Sequence, residues 1–360
     1  MSEYQGNILY IERIKFDSIY MEITSRCNGH CFYCYNDSKT SGINMPYLKV
    51  KEIMEQAYEI NNNVSYTFSG GEPLMHPDFV KIIDLGCSMG LDIAIVTNGC
   101  LLRNVSTVDN LYKCSFQVTL DSIDEKVHDS MRGVGSFDNI KNLQRYLPNK
   151  NNKERILRIN LTKKNLMNVR EFTEFALDND YTVLSFGFPV EQGRAKENKI
   201  LLDFDNRTDW EICLKVIHEI EEYTEKYKNK IKIERKNCYP RIRCELTDKK
   251  KPTMALRITP DGYVYPCLYF CDKINSLGNV NDATIYEILK GQPFLNLINL
   301  ILYRESYIEN CKSCIWNKHC FKGCPALAYS KYGSFDHEIF CSFMKGLFER
   351  IIKEKGMSEI

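Results

Sequence analysis

The sequence has no excess of charge of either sign. Its 48 lysines and arginines are matched by 47 aspartates and glutamates, which leaves a formal net charge of +1. A nucleic-acid-binding protein normally carries a concentrated basic face. The one short basic run, residues 249–251, is typical of a solvated loop. We therefore expect no nucleic acid among the partners of this protein.

The sequence also lacks a long hydrophobic run. The longest one, residues 294–303, is interrupted by Asn296 and Asn299, and it is shorter than the roughly 20 apolar residues that a membrane-spanning helix needs. The first residues include the charged Glu3 and Glu12 and lack the apolar core of a signal peptide. We predict a cytoplasmic protein with no membrane partner.

Cysteine, by contrast, is abundant, with sixteen residues in the chain. Because the cytosol keeps thiols reduced, cysteines in such a protein are more often metal or catalytic ligands than disulfide partners. No internal repeat or low-complexity segment accompanies them. The cysteines are therefore the first place to look for chemistry.

Short β-rich runs alternate with helical periodicity over the first half of the chain. The candidate strands, rich in β-branched and aromatic residues, are residues 19–24, 64–68, 93–97, 115–120, 156–161 and 182–188. Strands that alternate with helices imply a parallel sheet with right-handed crossovers. A full eight-stranded barrel typically needs about 250 residues, so we predict an α/β fold with a partial (β/α)6 barrel of the TIM type.

Three cysteines follow the first predicted strand in one tight loop. Cys27, Cys31 and Cys34 would supply three thiolates, whereas iron–sulfur clusters of the four-iron type normally take four. Such a loop leaves one iron open, which is typical of a catalytic site. A zinc site is the alternative, but zinc sites usually close with four ligands in two pairs, and no partner pair lies near this loop.

A second motif, Ser69-Gly70-Gly71-Glu72-Pro73, follows the second predicted strand. Paired glycines let a backbone approach a ligand closely, and Glu72 places a carboxylate where an ammonium group could be held. Taken alone, the motif could be a simple turn.

Together, the two motifs resemble the signature loops of radical S-adenosylmethionine (SAM) enzymes. In that family SAM chelates the open iron through its amine and carboxylate. Its reductive cleavage gives a 5′-deoxyadenosyl radical that takes a hydrogen atom from the substrate. The resemblance implies that the segment from Ser69 to Glu72 binds the methionyl amine and that Tyr33 lies near the adenine.

Weaker matches suggest further SAM contacts. The resemblance implies that Thr119 and Asp121, at the end of the fourth strand, contact the ribose of SAM. Arg132 could pair with the SAM carboxylate through its planar guanidinium, although a surface charge is the alternative. Residues 191–195 also look like a recurring turn of the family, without an assigned role.

The C-terminal part carries a second cysteine pattern. It comprises Cys238, Cys244, Cys267, Cys311, Cys314, Cys320, Cys324 and Cys341. This arrangement resembles the SPASM domain, which implies one cluster on Cys238, Cys244, Cys267 and Cys324 and a second on Cys311, Cys314, Cys320 and Cys341. With the first loop, this makes three 4Fe-4S clusters. Cys271 lies outside the pattern, and a zinc ribbon would fit only Cys311 and Cys314 taken alone.

These resemblances divide the chain into three parts. Residues 1–195 form the radical SAM partial barrel, residues 196–230 a helical bridge, and residues 231–360 the SPASM domain with its two auxiliary clusters. We place the domain boundary between Arg194 and Ile231, in the stretch that contains the long helical pattern of Trp210.

The leading hypothesis for function is a maturase that installs a thioether or carbon–carbon crosslink in a ribosomally made peptide. A peptide epimerase is an alternative, with Cys100 or Cys271 as the hydrogen donor, although small buried cysteines are commonly structural. Tetrapyrrole modification is another. Sulfatase maturation fits less well, because Leu268 stands where the sulfatase-maturing relatives have an aspartate. A non-enzymatic iron–sulfur electron carrier is the remaining alternative, but this function would not explain the Ser69–Pro73 motif.

The resemblance also implies partners. A peptide or protein is the expected substrate, and a flavodoxin- or ferredoxin-type protein is the expected electron donor. Only 26 residues precede Cys27, fewer than the leader-binding module of many peptide maturases contains. We therefore expect either a separate protein that presents the peptide or recognition by the barrel and the SPASM domain alone.

Overall fold

The computed structural model describes residues 14–146, 153–197, 201–203, 206–235, 244–247, 251–320 and 322–355. Cys238, one of the predicted cluster ligands, lies outside these ranges. So do two residues of the basic run at 249–251 and Leu147, which with Ile140 and Leu143 predicts a helix from its spacing in the sequence.

One sheet of ten strands organises the described part of the chain, in the order β10-β9-β8-β1-β2-β3-β4-β5-β6-β7. The strands are β1 (Lys15–Thr24), β2 (Ser65–Gly70), β3 (Asp92–Val96), β4 (Ser115–Leu120), β5 (Arg155–Asn160), β6 (Val183–Gly187), β7 (Lys232–Arg235), β8 (Thr253–Ile258), β9 (Tyr263–Tyr265) and β10 (Gly278–Asn279). All neighbouring pairs from β8 to β7 are parallel, and β9 and β10 extend the β8 edge as antiparallel strands.

The six predicted strands and the α/β partial barrel are confirmed, and the sheet is wider than predicted. β7 pairs with β6 at one edge, and β8 pairs in parallel with β1 at the other, with Ile19 opposite Leu256. β7 is short and mostly charged, so it lacks the apolar pattern of a strand. β8 lies beyond residue 231, so the C-terminal part of the chain completes the sheet of the N-terminal part.

Helices cover the sheet and continue into the C-terminal part. The α-helices are α1 (Tyr47–Ile60), α2 (Phe79–Ser88), α3 (Leu102–Val105), α4 (Glu125–Arg132), α5 (Ser136–Lys141), α6 (Leu143–Tyr146), α7 (Val169–Asp178), α8 (Arg207–Tyr227), α9 (Ile285–Lys290), α10 (Gln292–Leu302), α11 (Arg304–Tyr307), α12 (Glu309–Lys312), α13 (Pro325–Tyr332) and α14 (Cys341–Lys355). Short 3-10 helices span Pro73–Met75, Asp109–Lys113, Gly193–Glu197, Glu245–Thr247 and Lys273–Asn275. None of the helices in the described ranges is long and apolar enough to cross a bilayer.

The main core lies between the sheet and these helices. Helix α1 buries Val50, Met54 and Ala57, which recur at helical spacing on the face towards the sheet. In the sheet itself, every residue of β5 except the last is buried. Burial of both faces is expected for parallel strands between helical layers. The C-terminal helix joins this core through Phe343, whose ring packs edge-on against Trp210 of α8 at 6.3 Å between centroids.

A buried ion pair joins the first strand to the C-terminal part. The Arg257 Nε atom in β8 lies 2.9 Å from Glu22 Oε1 in β1, and the two side chains are 4% and 3% exposed. The Arg257 guanidinium also donates to Asn36 Oδ1 and to the carbonyl of Phe270, at 2.8 and 2.9 Å. Because both charged side chains are buried, each charge relies on the other for compensation.

We predict that Arg257→Met destabilises the protein by about 3–5 kcal/mol, because it leaves the Glu22 carboxylate buried without its counter-charge. The free energy of unfolding, measured by denaturant titration under anoxic conditions, checks this. Arg207→Met removes an exposed pair with Glu211 and is the matched control, which should change the stability little. Equal stabilities for the two variants would contradict a structural role for the buried pair.

Candidate active site

The three cysteines of the first loop lie together at the C-terminal end of β1. Burial raises the pKa of the Cys27 thiol to about 12, and the nearby Glu72, Cys31 and Cys34 raise it further. The Gly29 N–H donates to the Cys27 sulfur at 3.3 Å. The loop therefore brings three partly exposed thiols next to the carboxylate that was predicted from a separate motif.

The turn at residues 191–195, which had no assigned role, follows the C-terminal end of β6 and holds this loop through hydrogen bonds. Arg194 donates its backbone N–H to the carbonyl of Cys34 and its Nε–H to the carbonyl of Cys31, both at 2.9 Å, and its Nη1 lies 2.9 Å from Asp37 Oδ1. Gly193 has a φ of 55°, and a Cβ there would lie 2.5 Å from the Cys34 carbonyl oxygen. Only glycine allows this approach.

The glycines of the Ser69–Pro73 motif, which were predicted to lie close to a ligand, also pack closely against the backbone that precedes the cysteine loop. A Cβ on Gly70 or Gly71 would lie 2.1 Å from the carbonyl oxygens of Thr24 and Arg26, respectively. The Gly71 and Glu72 N–H groups donate to these same two carbonyls, at 2.7 and 2.8 Å. The motif is therefore bound directly to the chain that enters the cysteine loop.

Glu72 is buried and its carboxylate accepts three hydrogen bonds. The donors are the Thr97 hydroxyl and the Asn98 N–H, both at 2.7 Å, and the Leu74 N–H at 3.2 Å. Burial raises the Glu72 pKa to about 7, and these hydrogen bonds oppose the rise. A ligand that brings hydrogen-bond donors or positive charge to this carboxylate would favour its ionised form.

Tyr33, Asp121 and Arg132 form one buried cluster beside the cysteine loop. Arg132 Nε lies 2.6 Å from Asp121 Oδ2, Nη2 donates to the Tyr33 hydroxyl at 2.8 Å, and Nη1 lies 3.8 Å from the Cys31 sulfur. The Tyr33 hydroxyl in turn donates to Asp121. The Arg132 side chain is only 12% exposed, so the surface-charge alternative is wrong.

Sequence motifs did not reveal the residues that support this cluster. The Asp121 N–H donates to Nδ1 of the fully buried His128, and Asn165 Nδ2 donates to the Asp121 carbonyl, at 3.1 and 3.0 Å. Burial lowers the His128 pKa to about 4, which keeps the ring neutral and able to accept. Asn160 Nδ2 reaches the Tyr33 hydroxyl at 3.4 Å.

The remaining predicted SAM contacts lie on neighbouring strands. Ser69 is buried at the end of β2, where its hydroxyl accepts a hydrogen bond from the Tyr20 hydroxyl at 2.7 Å. Thr119 is half-buried in β4, in register with Arg158 of β5. Both strands end on the same edge of the sheet as the cysteine loop, because all three are parallel.

The two candidate hydrogen donors lie in different surroundings. Cys100 is exposed and accepts a hydrogen bond from Asn139 Nδ2 at 3.0 Å. Its pKa is raised to about 11, chiefly by burial of the sulfur and then by Glu72 and Cys31. Cys271 is half-buried, and its pKa is raised chiefly by burial, with Arg257 opposing the rise.

The C-terminal cysteines gather into the two predicted sets. Burial raises the Cys324 pKa, and the nearby Cys267 and Cys244 raise it further. Burial likewise raises the Cys311 pKa to about 11, with contributions from Cys320, Cys341 and Cys314. The structure thus brings together three members of the first set and all four of the second.

The donor chemistry of these thiols fits iron–sulfur clusters. Backbone N–H groups of Tyr269 and Phe270 donate to the Cys267 sulfur, and Cys324 is the N-cap of α13. Such donors and a helix N-terminus stabilise a thiolate. No group of three or more His, Cys, Asp or Glu in the described ranges is arranged to hold a single metal ion, whereas a cluster is larger and takes more widely spaced thiolates.

Two family models match separate parts of this chain. Residues 21–176 match the model of the radical SAM superfamily, and residues 250–315 match SPASM, an iron–sulfur cluster-binding domain. The AdoMet-dependent heme synthase of Methanosarcina barkeri is 27% identical over 90% of this chain and 96% of that protein. The antilisterial bacteriocin subtilosin biosynthesis protein AlbA of Bacillus subtilis is 25% identical over 86% of this chain and 65% of that protein.

Solved structures share the fold over almost the whole chain. Streptococcus suis SuiB bound to S-adenosylmethionine has a TM-score of 0.70 at 18% identity, covering 93% of this chain and 79% of that one. The structure of anSMEcpe with bound AdoMet and Kp18Cys peptide has a TM-score of 0.72 at 21% identity, covering 94% and 98%.

We predict that Gly193→Ala lowers the iron bound by the purified protein, because the added methyl group would displace the Cys34 carbonyl and open the cysteine loop. Iron and sulfide analysis with electron paramagnetic resonance of the reduced protein measures the loss. Gly90→Ala is the control, since Gly90 also has a positive φ, of 73°, but no atom lies within 4 Å of its Cβ position. Similar iron contents for both variants would refute the steric role.

Proposed function

The chain belongs to the radical SAM superfamily and carries a C-terminal SPASM domain, and from this premise we propose that it is a peptide maturase. The enzyme abstracts hydrogen from a ribosomally made peptide and installs a thioether or carbon–carbon crosslink. The observation that carries the proposal is the pairing of an open three-thiol loop with the buried Glu72 at one edge of the sheet.

The residues around this pairing have distinct roles in the proposal. Cys27, Cys31 and Cys34 would hold a cluster that, together with SAM, would supply the electron and the hydrogen-abstracting radical. Glu72 accepts the methionyl amine, and Ser69, Gly70 and Gly71 form the cradle for it. Thr119 and Asp121 contact the ribose, and Tyr33 lies near the adenine.

Arg132 has two uses in this arrangement. Its guanidinium is buried between Asp121, Tyr33 and the Cys31 sulfur, so it orients the adenine side of the site. Its remaining donor capacity is available for the SAM carboxylate, since a planar guanidinium offers five N–H donors.

Two auxiliary clusters complete the proposed set of three. The first takes Cys238, Cys244, Cys267 and Cys324, and the second takes Cys311, Cys314, Cys320 and Cys341. The grouping of the described members supports this assignment. Clusters held by four thiolates would suit electron transfer, and here they would accept the electron from the substrate radical or bind the substrate.

A peptide substrate is supported by the relatives and by the structures that share the fold. AlbA acts in the biosynthesis of a bacteriocin, and SuiB has been solved bound to its precursor peptide SuiA. Epimerisation of a peptide is the nearest variant of this function. It would require Cys100 or Cys271 to return a hydrogen atom, and both thiols are at least partly exposed.

A tetrapyrrole is the second candidate substrate. The AdoMet-dependent heme synthase matches this chain over 96% of its own length, which is a larger share than AlbA shows. The two candidates use the same SAM site and differ only in what occupies the barrel.

The cellular setting follows from the same proposal. The protein is cytoplasmic, a flavodoxin- or ferredoxin-type protein delivers the electron, and a separate protein presents the peptide unless the barrel and the SPASM domain recognise it directly.

We predict that the reduced, anoxically reconstituted protein cleaves SAM to 5′-deoxyadenosine and that a short peptide encoded beside its gene loses two hydrogens. Liquid chromatography and tandem mass spectrometry measure both products. Deuterium on the peptide should appear in the 5′-deoxyadenosine. Cys27→Ala is the control, and it should abolish cleavage while the C-terminal cysteines keep their iron.

The outcomes separate the candidate functions. An electron carrier would cleave no SAM. Incorporation of deuterium from a D2O solvent into the peptide, without the loss of two hydrogens, would indicate an epimerase. Consumption of an iron tetrapyrrole while the peptide stays intact would replace the maturase by the second candidate.

A pH dependence follows from the burial of Glu72, whose pKa is raised to about 7. Below that pH the side chain is protonated and must lose its proton before it can accept the SAM amine. As the pH falls below 7, the affinity of the unmodified protein for SAM should therefore decrease. The Glu72→Gln variant lacks the titrating carboxyl group, so its decrease should be shallower by up to about tenfold per pH unit. Equilibrium dialysis of both proteins from pH 5.5 to 8 measures the difference, and parallel curves would contradict the role of Glu72.

A further inference from the structure

Two cysteines outside the cluster motifs meet at the opposite end of the sheet. Cys87 lies in the last turn of α2, and Cys114 directly precedes the first residue of β4. The cysteine loop follows the C-terminal end of β1, whereas Cys114 lies at the N-terminal end of a parallel strand. The pair is therefore separated from the SAM site by the length of the sheet.

The two sulfur atoms converge on one acceptor. The Cys87 sulfur lies 3.7 Å from the carbonyl oxygen of Asn110, and the Cys114 sulfur lies 3.6 Å from the same atom. The thiols are also within hydrogen-bonding reach of each other. Asn110 is itself fixed, because its side-chain amide donates to Asp84 Oδ1 at 2.8 Å.

The two thiols differ in exposure. Cys87 is partly exposed, whereas Cys114 is completely buried. A reagent from solvent therefore reaches Cys87 first, and Cys114 is available only to its neighbour. An accessible thiol beside a resolving thiol is the arrangement of redox-active pairs.

The surroundings also favour the thiolate of Cys87. Its pKa is lowered to about 7, chiefly by the hydrogen bond with Cys114, and the positive charges of Lys113 and Lys153 contribute, against burial and Asp84. The pKa of Cys114 is raised, so this thiol stays protonated while Cys87 ionises. Thiol–disulfide exchange needs a thiolate as the attacking group.

We propose that Cys87 and Cys114 form a reversible dithiol–disulfide site that is oxidised by low-molecular-weight disulfides such as oxidised glutathione. The site is independent of the SAM chemistry and takes none of the cluster ligands. When oxidised, it joins the C-terminal turn of α2 to the start of β4.

The exchange balances without any further oxidant. The Cys87 thiolate attacks one sulfur of the small disulfide, an S–S bond forms to Cys87, and the small disulfide's own S–S bond breaks to release one thiolate. Cys114 then attacks the Cys87 sulfur, transfers its proton to solvent and releases the second small thiol. The protein pair loses two electrons, and the small disulfide gains them.

The test uses the anoxic holoenzyme with oxidised glutathione, followed by alkylation, trypsin digestion and mass spectrometry. Oxidation should link the tryptic peptide of residues 82–103 to that of residues 114–126, and dithiothreitol should separate them. Fragment spectra and the Cys100→Ser variant distinguish Cys87 from Cys100, which lies in the same peptide. Cluster absorbance, recorded in parallel, should stay constant.

Two variants separate the steps. In Cys114→Ser the mixed disulfide cannot be resolved, so one glutathione per chain should accumulate on Cys87. Cys87→Ser should accumulate none at either position. Circular dichroism and iron content check that both variants fold, and the wild-type cross-link alone tests the proposal if one of them does not.

Other results would contradict the proposed dithiol–disulfide site. A stable glutathione adduct on wild-type Cys87 without the cross-link would show that the two sulfurs do not react. A cross-link through Cys100, or no modification of Cys87 at glutathione concentrations that modify Cys100, would do the same.

Discussion

The loop of Gly70, Gly71 and Glu72 can reach the cysteine loop only because no side chain stands between their backbones. The Gly71 and Glu72 amides bind the carbonyls of Thr24 and Arg26, which lead directly into Cys27. This contact places a buried carboxylate beside the first thiol of the loop. Any residue larger than glycine would push the two segments apart, and the acidic group and the cluster ligands would then no longer share one site.

Buried charges are compensated in pairs on both sides of this contact. Asp121 and Arg132 form one pair, and Glu22 and Arg257 form the other. In a low-dielectric interior an uncompensated charge is costly, so each pair restricts where its strands and loops can lie. Asn36 connects the second pair to the motif, because it accepts from Arg257 and donates to the Gly70 carbonyl at 3.2 Å. The polar interior therefore orders the site before any ligand binds.

The candidate residues of the cysteine loop and of the Ser69–Pro73 motif could be selected from the printed sequence because their signals are local. Three cysteines within one loop and a Gly-Gly-Glu run after a strand each lie within a short stretch, whereas the C-terminal cysteines are spread over residues 238–341 and were grouped by their resemblance to the SPASM pattern. The six central strands were recognisable for a similar reason, since their apolar runs are continuous. β7 was missed because four mostly charged residues carry no such pattern, and β8 because its partner, β1, lies more than 200 residues away in the chain.

Local patterns in the sequence were sufficient for the fold class, and they were sufficient to select the three cysteines of the first loop and the acidic motif as candidates, since a set of residues within one loop needs no knowledge of the remaining chain. Folding alone brought Gly193 against the Cys34 carbonyl, Arg257 to Glu22, and Cys87 to Cys114. These partners are distant in sequence and carry no shared motif. They meet because parallel pairing aligns the strand ends at common edges of the sheet, and buried polar groups must then find partners across that edge.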